Sequence, residues 1–448
     1  MRESVLVLSA EPVGERMAGP AIRAAELARA LAAEHDVTLA APAPSRAPSE
    51  RVRLVEAGFE QLDVLIEAAG RHEVVVAQEL PPTLLSRLAR LPARVVLDLY
   101  NPVVVEVLEA VAARPARSQR RIRSLIAART RAQLAVADFI VCASERQRDL
   151  WLGGMALAGL IDLETYRRDP TLRSLIDVVP FGIPAEPPRA AASSPLRAAF
   201  PAIGPEDRVL LWGGGMWGWL DPQTVIRATA MLDSTHLVVM GTGRPGPART
   251  GQEPFTERAV EFARGEGLEG ERVHFNAGWV PYDERGAWLL DADLGVTAHH
   301  DHLESRYSFR TRVLDYLWAG LPVVATRGDA LADLVEREGL GRTAAPGDPE
   351  DFAAACRMLL DDPDAHASAR ERIAAVAPGL RWEEAAGPLV EWCSRHREQP
   401  PRRPAGHTLR RALRDQYLRT LPTTIDERGL KAAAAQVARR IRRGVRRP

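Results

Sequence analysis

The sequence predicts an α/β chain folded as two Rossmann-like, doubly wound parallel-sheet domains that face each other across a cleft. Short β-branched runs alternate with helix-period segments, the pattern that crossover helices impose on a parallel sheet. A Pro/Ala/Ser-rich stretch at residues 183–207 breaks the alternation once, after which it restarts. Glycine-rich loops also follow the first strand of each half, where doubly wound sheets bind ligands.

In chain order, the first half offers strands VLVLSA, VTLAA, EVVVAQ, RVVLDL, FIVCAS and DVVPFG. The segment PAIRAAELARALAAE after the first of them reads as a helix with Pro20 at its start. This gives a first domain over residues 1–182, a linker over 183–207 and a second domain over 208–380. Strands RVLLWGGG, HLVVMGTG, RVHFNAG, DLGVTAHH and LPVVATRGD make up the second sheet. Behind Ser308 as a possible cap, residues 309–319 read as a helix, with Val313, Leu314, Leu317 and Trp318 on one apolar face and Gly320 as its stop. Residues 398–448 form a basic tail; from 401 on it carries fourteen Arg or Lys against three Asp or Glu.

Composition excludes several classes. The 448 residues carry zero formal net charge, which argues against a nucleic-acid partner. Cys142, Cys356 and Cys393 lie far apart, with no disulfide framework or metal spacing, as in a reducing cytoplasm. No run of eighteen apolar residues and no signal-peptide pattern occurs. The only lysine is Lys431, so phosphate chemistry in the core has to use arginine, backbone N–H groups or helix ends.

Three loops draw attention. MGTGRPG, with Gly241, Gly243 and Gly246, matches a dinucleotide fingerprint, but Pro245 and Pro247 interrupt the helix start that such a site needs. It reads better as a strand-end loop lining the cleft, and no nicotinamide or flavin cofactor is expected. LWGGGMWGWLDP lets backbone approach a ligand closely, and SAEPVGERMAGPAIR does the same in the first half, through Gly14 and Gly19. Arg310 and Arg312 stand in the first turn of the 309–319 segment, where the helix dipole disfavours positive charge by about 0.3–1 kcal/mol each. A bound anion would reverse that balance. The alternative is that Arg312 pairs with Asp315 and Arg310 points to water.

At residues 1–397 the chain resembles the retaining glycosyltransferases of the GT-B architecture, the family-4 group that uses nucleotide-sugar donors. The resemblance rests on AGPAIRAAELARALAAEHDVTL, VCASERQRDLWLG, VVPFGIP and, most specifically, SFRTRVLDYLWAGLPVVAT. In that group two glutamates with seven residues between them precede a GxPV strand. Here Asp315 stands at the second position and Tyr307 at the first, with Glu304 three residues earlier. The Arg and Lys that relatives place after the first strand of the second domain have no counterpart in GGGMWGWLD.

The resemblance implies transfer of a sugar from a nucleotide-diphosphate donor, with retention, to a glycan, lipid-linked or small-molecule acceptor. No cofactor or metal is expected beyond the donor substrate. Glu304 and Arg310 become the candidate catalytic groups; Gly14, Gly214, Gly215, Trp217, Gly243, Arg310, Thr311, Arg312 and Asp315 the donor contacts; and Asp98, Tyr100, Asn101, His299 and His300 the sugar or acceptor contacts. Arg310 is expected to be dispensable for the fold, and Asp315 to be free for the donor ribose. Residues 381–397 resemble the helix that crosses back to the first domain. The basic tail and the basic 114–131 stretch fit an anionic membrane surface, with the protein peripheral at the inner face of the cell membrane.

Overall fold

The computed structural model describes residues 3–112, 114–241, 253–398 and 410–415. Seven strands form the first sheet: β1 Ser4–Leu8, β2 Asp36–Ala41, β3 Val52–Glu56, β4 Val74–Ala77, β5 Arg94–Asp98, β6 Phe139–Cys142 and β7 Ile176–Val178, in the order β3-β2-β1-β4-β5-β6-β7. Six form the second: β8 Arg208–Trp212, β9 Thr235–Val239, β10 Val273–Phe275, β11 Leu294–Thr297, β12 Val323–Thr326 and β13 Gly341–Ala344, in the order β10-β9-β8-β11-β12-β13. All the pairings between them are parallel; β1 meets β2 at Val5–Val37 and β4 at Val5–Val74.

The predicted fold class is therefore the observed one. Strands such as VVVA in β4 are buried along their whole length, because helices cover both faces. In each sheet the order reverses beside the first strand, between β1 and β4 and between β8 and β11. Loops 9–18 and 213–221, which carry the two glycine-rich stretches, thus leave the carboxyl ends of their sheets at the topological switch points.

Residues 183–207 are more than a linker. They hold the short helix Pro195–Ala199, capped by Ser194, whose hydroxyl hydrogen-bonds the Asp291 carboxylate, with Leu196 fully buried. The chain then returns to the first domain. Ile183 bridges Arg381, the Trp382 N–H donates to the Ile183 carbonyl, and in helix Gly387–Arg395 the Trp392 ring stacks on Phe139 with centroids 4.9 Å apart. Of the basic tail, residues 410–415 are helical. Ala412 and Leu413 pack against the first domain's core, and Asp415 pairs with Arg131 at 3.6 Å. Residues 401–409 and 416–448 lie outside the described residues, as do Gly243 and most of MGTGRPG.

Candidate active site in the interdomain cleft

The helix predicted over 309–319 begins later, at Arg312, and runs Arg312–Trp318. A separate turn of helix, Leu303–Tyr307, precedes it; His302 caps this turn and it ends at Ser308 in extended backbone. The Ser308 hydroxyl donates to the Ser305 carbonyl, so Ser308 closes the first helix and does not cap the second. The polar run HHDHLES can cap and start a helix locally, which apolar periodicity does not register.

Arg310 therefore precedes the second helix and folds back on the first. It is 7% exposed, donates to Glu304 Oε2 at 2.8 Å, and leaves its Nε buried without a hydrogen-bond partner. Glu304, 1% exposed, is thus Arg310's counter-ion. This corrects the expectation that Arg310 is dispensable for the fold: removing it leaves a buried carboxylate unpaired.

Arg312 does not pair with Asp315. Its Nη2 donates to the Gly215 carbonyl at 2.9 Å, its guanidinium lies 4.7 Å above the Trp212 ring centre, and its Nη1 is buried without a partner. Burial pulls its pKa down to about 10, and the neighbouring Arg310 charge adds to that effect. Asp315 is not free either, since Arg285 Nε reaches it at 3.1 Å. Arg285 is itself held between the Tyr282 and Trp318 rings, with its guanidinium carbon 3.7 and 4.5 Å from their centres. Sequence reasoning missed Arg285. No local signal marked it, because of its two rings only Tyr282 is near in the chain and Trp318 comes from the 312–318 helix.

The glycine-rich loop is fixed from below. The Gly213 N–H donates to the Tyr316 phenol oxygen, and that hydroxyl donates to the Val296 carbonyl, both at 2.8 Å. Gly214 turns the loop with φ +82°, and a Cβ at Gly295 would stand 2.3 Å from the Tyr316 ring. Trp217 stacks on Trp219 with ring centres 5.3 Å apart, and Thr311 is the residue before the 312–318 helix, making no side-chain capping bond. The His300 N–H donates to the Trp219 carbonyl, joining the loops after β8 and β11.

Two expected cleft contacts are buried instead. Asp98 is held bidentately by Arg23 at 2.6 and 2.8 Å, and Arg23 also donates to the Val179 and Pro180 carbonyls, so both carboxylate oxygens are occupied. Nothing in PAIRAAELARALAAE marks Arg23 as fully buried. His299 is 1% exposed and its Nε2 lies 3.0 Å from Asp329 Oδ2. Burial alone would raise the Asp329 pKa; the His299 hydrogen bond and the Arg310 charge outweigh it and hold it low. Tyr100 is 8% exposed, packed edge-on to Phe181, while Asn101 and His300 are exposed and Gly14 is half-buried.

The first domain closes on this site directly. Gln147 Nε2 donates to the Tyr100 carbonyl at 2.7 Å and across the cleft to the Tyr307 carbonyl at 2.9 Å. Arg146 donates to the Gly328 carbonyl and to Asp333, and the Tyr282 N–H donates to the Glu15 carbonyl, one residue beyond Gly14. Helix Val103–Ala110 packs on helix Leu303–Tyr307, bringing Glu106 toward Glu304 and Arg310. Burial, then the charge of Glu304, push the Glu106 carboxyl up to about 7.

Among the described residues, one group of three has the spacing for a metal ion: Glu3, Glu73 and His396, with ligand atoms within 4.8 Å of one another. It lies at the amino ends of β1 and β4, away from the cleft, and Arg397 pairs with both carboxylates.

Residues 207–362 match the profile of the family described as Glycosyl transferases group 1. Over 238 residues, 51% of this chain and 52% of the relative, the sequence is 27% identical to a D-inositol 3-phosphate glycosyltransferase of Thermobispora bispora. The match thus spans about half the length of that curated relative. The fold resembles HepE of Anabaena, solved in complex with UDP and glucose, with TM-score 0.63 and 15% identity over 88% of this chain and 100% of that one. It equally resembles a sucrose-phosphate synthase from Thermosynechococcus elongatus, with TM-score 0.63 and 17% identity over 89% and 100%.

Proposed function

We propose that this chain, which has the two-domain GT-B fold of the structures it resembles and whose residues 207–362 match the Glycosyl transferases group 1 profile, transfers a glycosyl group from a nucleotide-diphosphate sugar to an acceptor, with retention at the anomeric carbon. The observation that carries the donor assignment is the pair of arginines at the switch point of the second sheet. Arg310 Nε and Arg312 Nη1 are buried without hydrogen-bond partners, and among the described residues Arg312 makes no ion pair, the Asp315 charge being the least of the influences on it. Burying an unbalanced guanidinium is costly unless an anion completes it. A diphosphate supplies that charge and accepts bidentate contacts. Since the 312–318 helix is only two turns long, the guanidiniums and the 213–215 backbone carry this role rather than the helix dipole.

In this reading the donor C1–O bond breaks as the acceptor oxygen bonds to C1 on the same face. The acceptor proton passes to the leaving phosphate oxygen. The arginines stabilise the charge that grows on the diphosphate, which is the main electrostatic demand of the step. Glu304 keeps Arg310 in place. Asp315, one methylene shorter than the glutamate it replaces, takes the ribose hydroxyls while Arg285 holds it. Gly14 and the 9–18 loop close over the transferred sugar, and His300 and Asn101, exposed at the cleft, contact sugar or acceptor. The basic tail and the exposed Arg117, Arg120 and Arg123 support adsorption to an anionic membrane, with the enzyme peripheral at its cytoplasmic face. Among the described residues no helix is long and apolar enough to cross a membrane.

A thermal-shift screen against nucleoside diphosphates tests the donor assignment. A diphosphate at a hundred times its dissociation constant stabilises the fold by about 2.7 kcal/mol. No shift with any nucleoside diphosphate would remove the assignment.

A further inference from the structure

Arg285 stands where three parts of the chain meet. It opens the Arg285–Leu290 helix and is 8% exposed. Its Nε donates to Asp315 Oδ1 at 3.1 Å and its Nη1 to the Tyr282 carbonyl at 2.6 Å, while the Tyr282 and Trp318 rings hold the guanidinium between them. Residues 183–207 press on the same helix. The Trp318 Nε1–H donates to the Glu186 carbonyl at 2.7 Å, and a Cβ at Gly286 would stand 2.8 Å from Pro188. The first domain reaches this assembly twice. The Tyr282 N–H donates to the Glu15 carbonyl at 3.2 Å, and the Arg285 charge acts through space on Glu26 of helix Gly19–Leu31. Glu26 is 4% exposed, and its carboxylate accepts from Arg29 at 2.6 Å. Burial pushes the Glu26 carboxyl up, and Arg29 first and Arg285 after it pull it back.

Asp315 is the ligand end of this assembly. Its side chain is 38% exposed, and with Oδ1 given to Arg285 its Oδ2 stays open to a donor. A flat guanidinium clamped between two rings and fixed at Nη1 has no freedom to follow Asp315, so the carboxylate is the partner that is held in place. Arg285 is thus a cation on which an exposed carboxylate of the second domain and a buried carboxylate of the first both draw. Two anions that share a cation are coupled. Hydroxyl donors that satisfy Asp315 leave more of the Arg285 field for Glu26, and by reciprocity an ionised Glu26 favours the state in which those hydroxyls are bound.

We infer that Arg285 is a positioning residue shared by the two domains: it aligns Asp315 for the donor ribose and, through Tyr282 and Glu26, makes that alignment depend on the first domain. The inference rests on the proposed donor reading. Its consequence is that Glu26, which belongs to the other domain and is buried away from ligands, contributes to the reading of the ribose hydroxyls.

The test is calorimetric titration of the full chain with UDP, GDP and ADP and with their 2′,3′-dideoxy counterparts. The measured quantity is the ribose preference, the ratio of the two affinities. In wild type it is about tenfold or more, as for a hydrogen bond to a charged group. Arg285→Met keeps the apolar bulk between the rings and removes most of that preference, while affinity for the dideoxy form changes little. Glu26→Gln lowers the preference several-fold. Arg46→Gln, which removes an exposed ion pair to Glu15 at 2.8 Å, leaves it unchanged. Preference retained or increased in Arg285→Met, unchanged in Glu26→Gln, or lowered equally by Arg46→Gln would each overturn the inference. Melting curves are recorded in parallel. If Arg285→Met does not fold, Asp315→Asn with and without Glu26→Gln decides: once the Asp315 carboxylate is gone, Glu26→Gln has no further effect on the ratio, and an additive fall would overturn the coupling. A wild type that binds no nucleotide defeats the donor reading and the inference together. A ribose preference that survives both Arg285→Met and Glu26→Gln defeats the inference alone.

Discussion

Arg312 and Gly215 are tied by a 2.9 Å hydrogen bond from the guanidinium to the loop carbonyl, so the first residue of the 312–318 helix sets the position of the glycine-rich loop after β8. One side chain thereby presents an unpartnered N–H and orders the backbone beside it. Arg312→Gln is expected to weaken nucleoside diphosphate binding about 10–100-fold, the range for a hydrogen bond to a charged group. Its effect on the melting temperature of the free protein should be small, because the lost charge is poorly balanced without ligand. Paired calorimetry and melting curves check both halves; unchanged affinity would take Arg312 out of the site.

Glu304 and Arg310 behave as one buried unit. Arg310→Ala is expected to destabilise the free protein by about 3–5 kcal/mol, the cost of an orphaned buried charge. Glu304→Gln combined with Arg310→Ala should recover much of that loss. Urea denaturation of both single variants and the double variant closes the cycle, and additive losses would show that the pair is uncoupled.

Gly295 is an exacting position in the second sheet. Gly295→Ala drives a methyl group into the Tyr316 ring and is expected to cost about 1–3 kcal/mol, as overpacked cores do. Because Tyr316 also holds Gly213, nucleotide affinity should fall along with stability. A stable variant with normal affinity would show that the ring and the loop move independently.

The half-buried Glu106 and the buried His274 bias the pH dependence of stability in opposite directions. Glu106 titrates near 7 in the fold against an ordinary value of 4.5, so the folded state binds the extra proton, and its contribution is lost as pH rises from 4.5 through 7. His274, pulled down to about 4 first by burial and then by His236, contributes stability above pH 6.5 that is lost as pH falls toward 4. Each amounts to at most about 3 kcal/mol. Glu106→Gln should remove the loss on the alkaline side and His274→Gln the loss on the acid side. Denaturation at a series of pH values reads both slopes, and a variant that keeps its slope clears its residue of the role.

The sheets were legible because buried parallel strands are nearly pure Val, Leu, Ile and Ala, and every strand predicted in the sequence is present. The two that escaped, VRLVE of β3 and GRTA of β13, are edge strands in which charged residues, Arg53 and Glu56 in the one and the half-buried Arg342 in the other, interrupt the apolar run. The site was legible by region and less so by contact. The sequence singled out Arg310, Arg312, Glu304 and Asp315 as residues of one segment, but which guanidinium meets which carboxylate depends on where the chain breaks between two short helices. Arg23 and Arg285 were invisible, since an arginine in a helix reads as solvated until a strand-end carboxylate or a pair of aromatic rings is seen around it. Asp98 and His299 sit at strand ends, as cleft residues do, yet their partners Arg23 and Asp329 come from distant elements.

The central claim is that the Arg310–Arg312 region reads a diphosphate, and calorimetric titration of the wild-type chain with UDP, GDP and ADP and with the matching monophosphates tests it most directly. At least one diphosphate should bind, and more tightly than its monophosphate by tenfold or more, the factor that corresponds to about 1.4 kcal/mol for the added charge-assisted contacts. Equal affinity for diphosphate and monophosphate, or no binding of any nucleotide, would contradict the account.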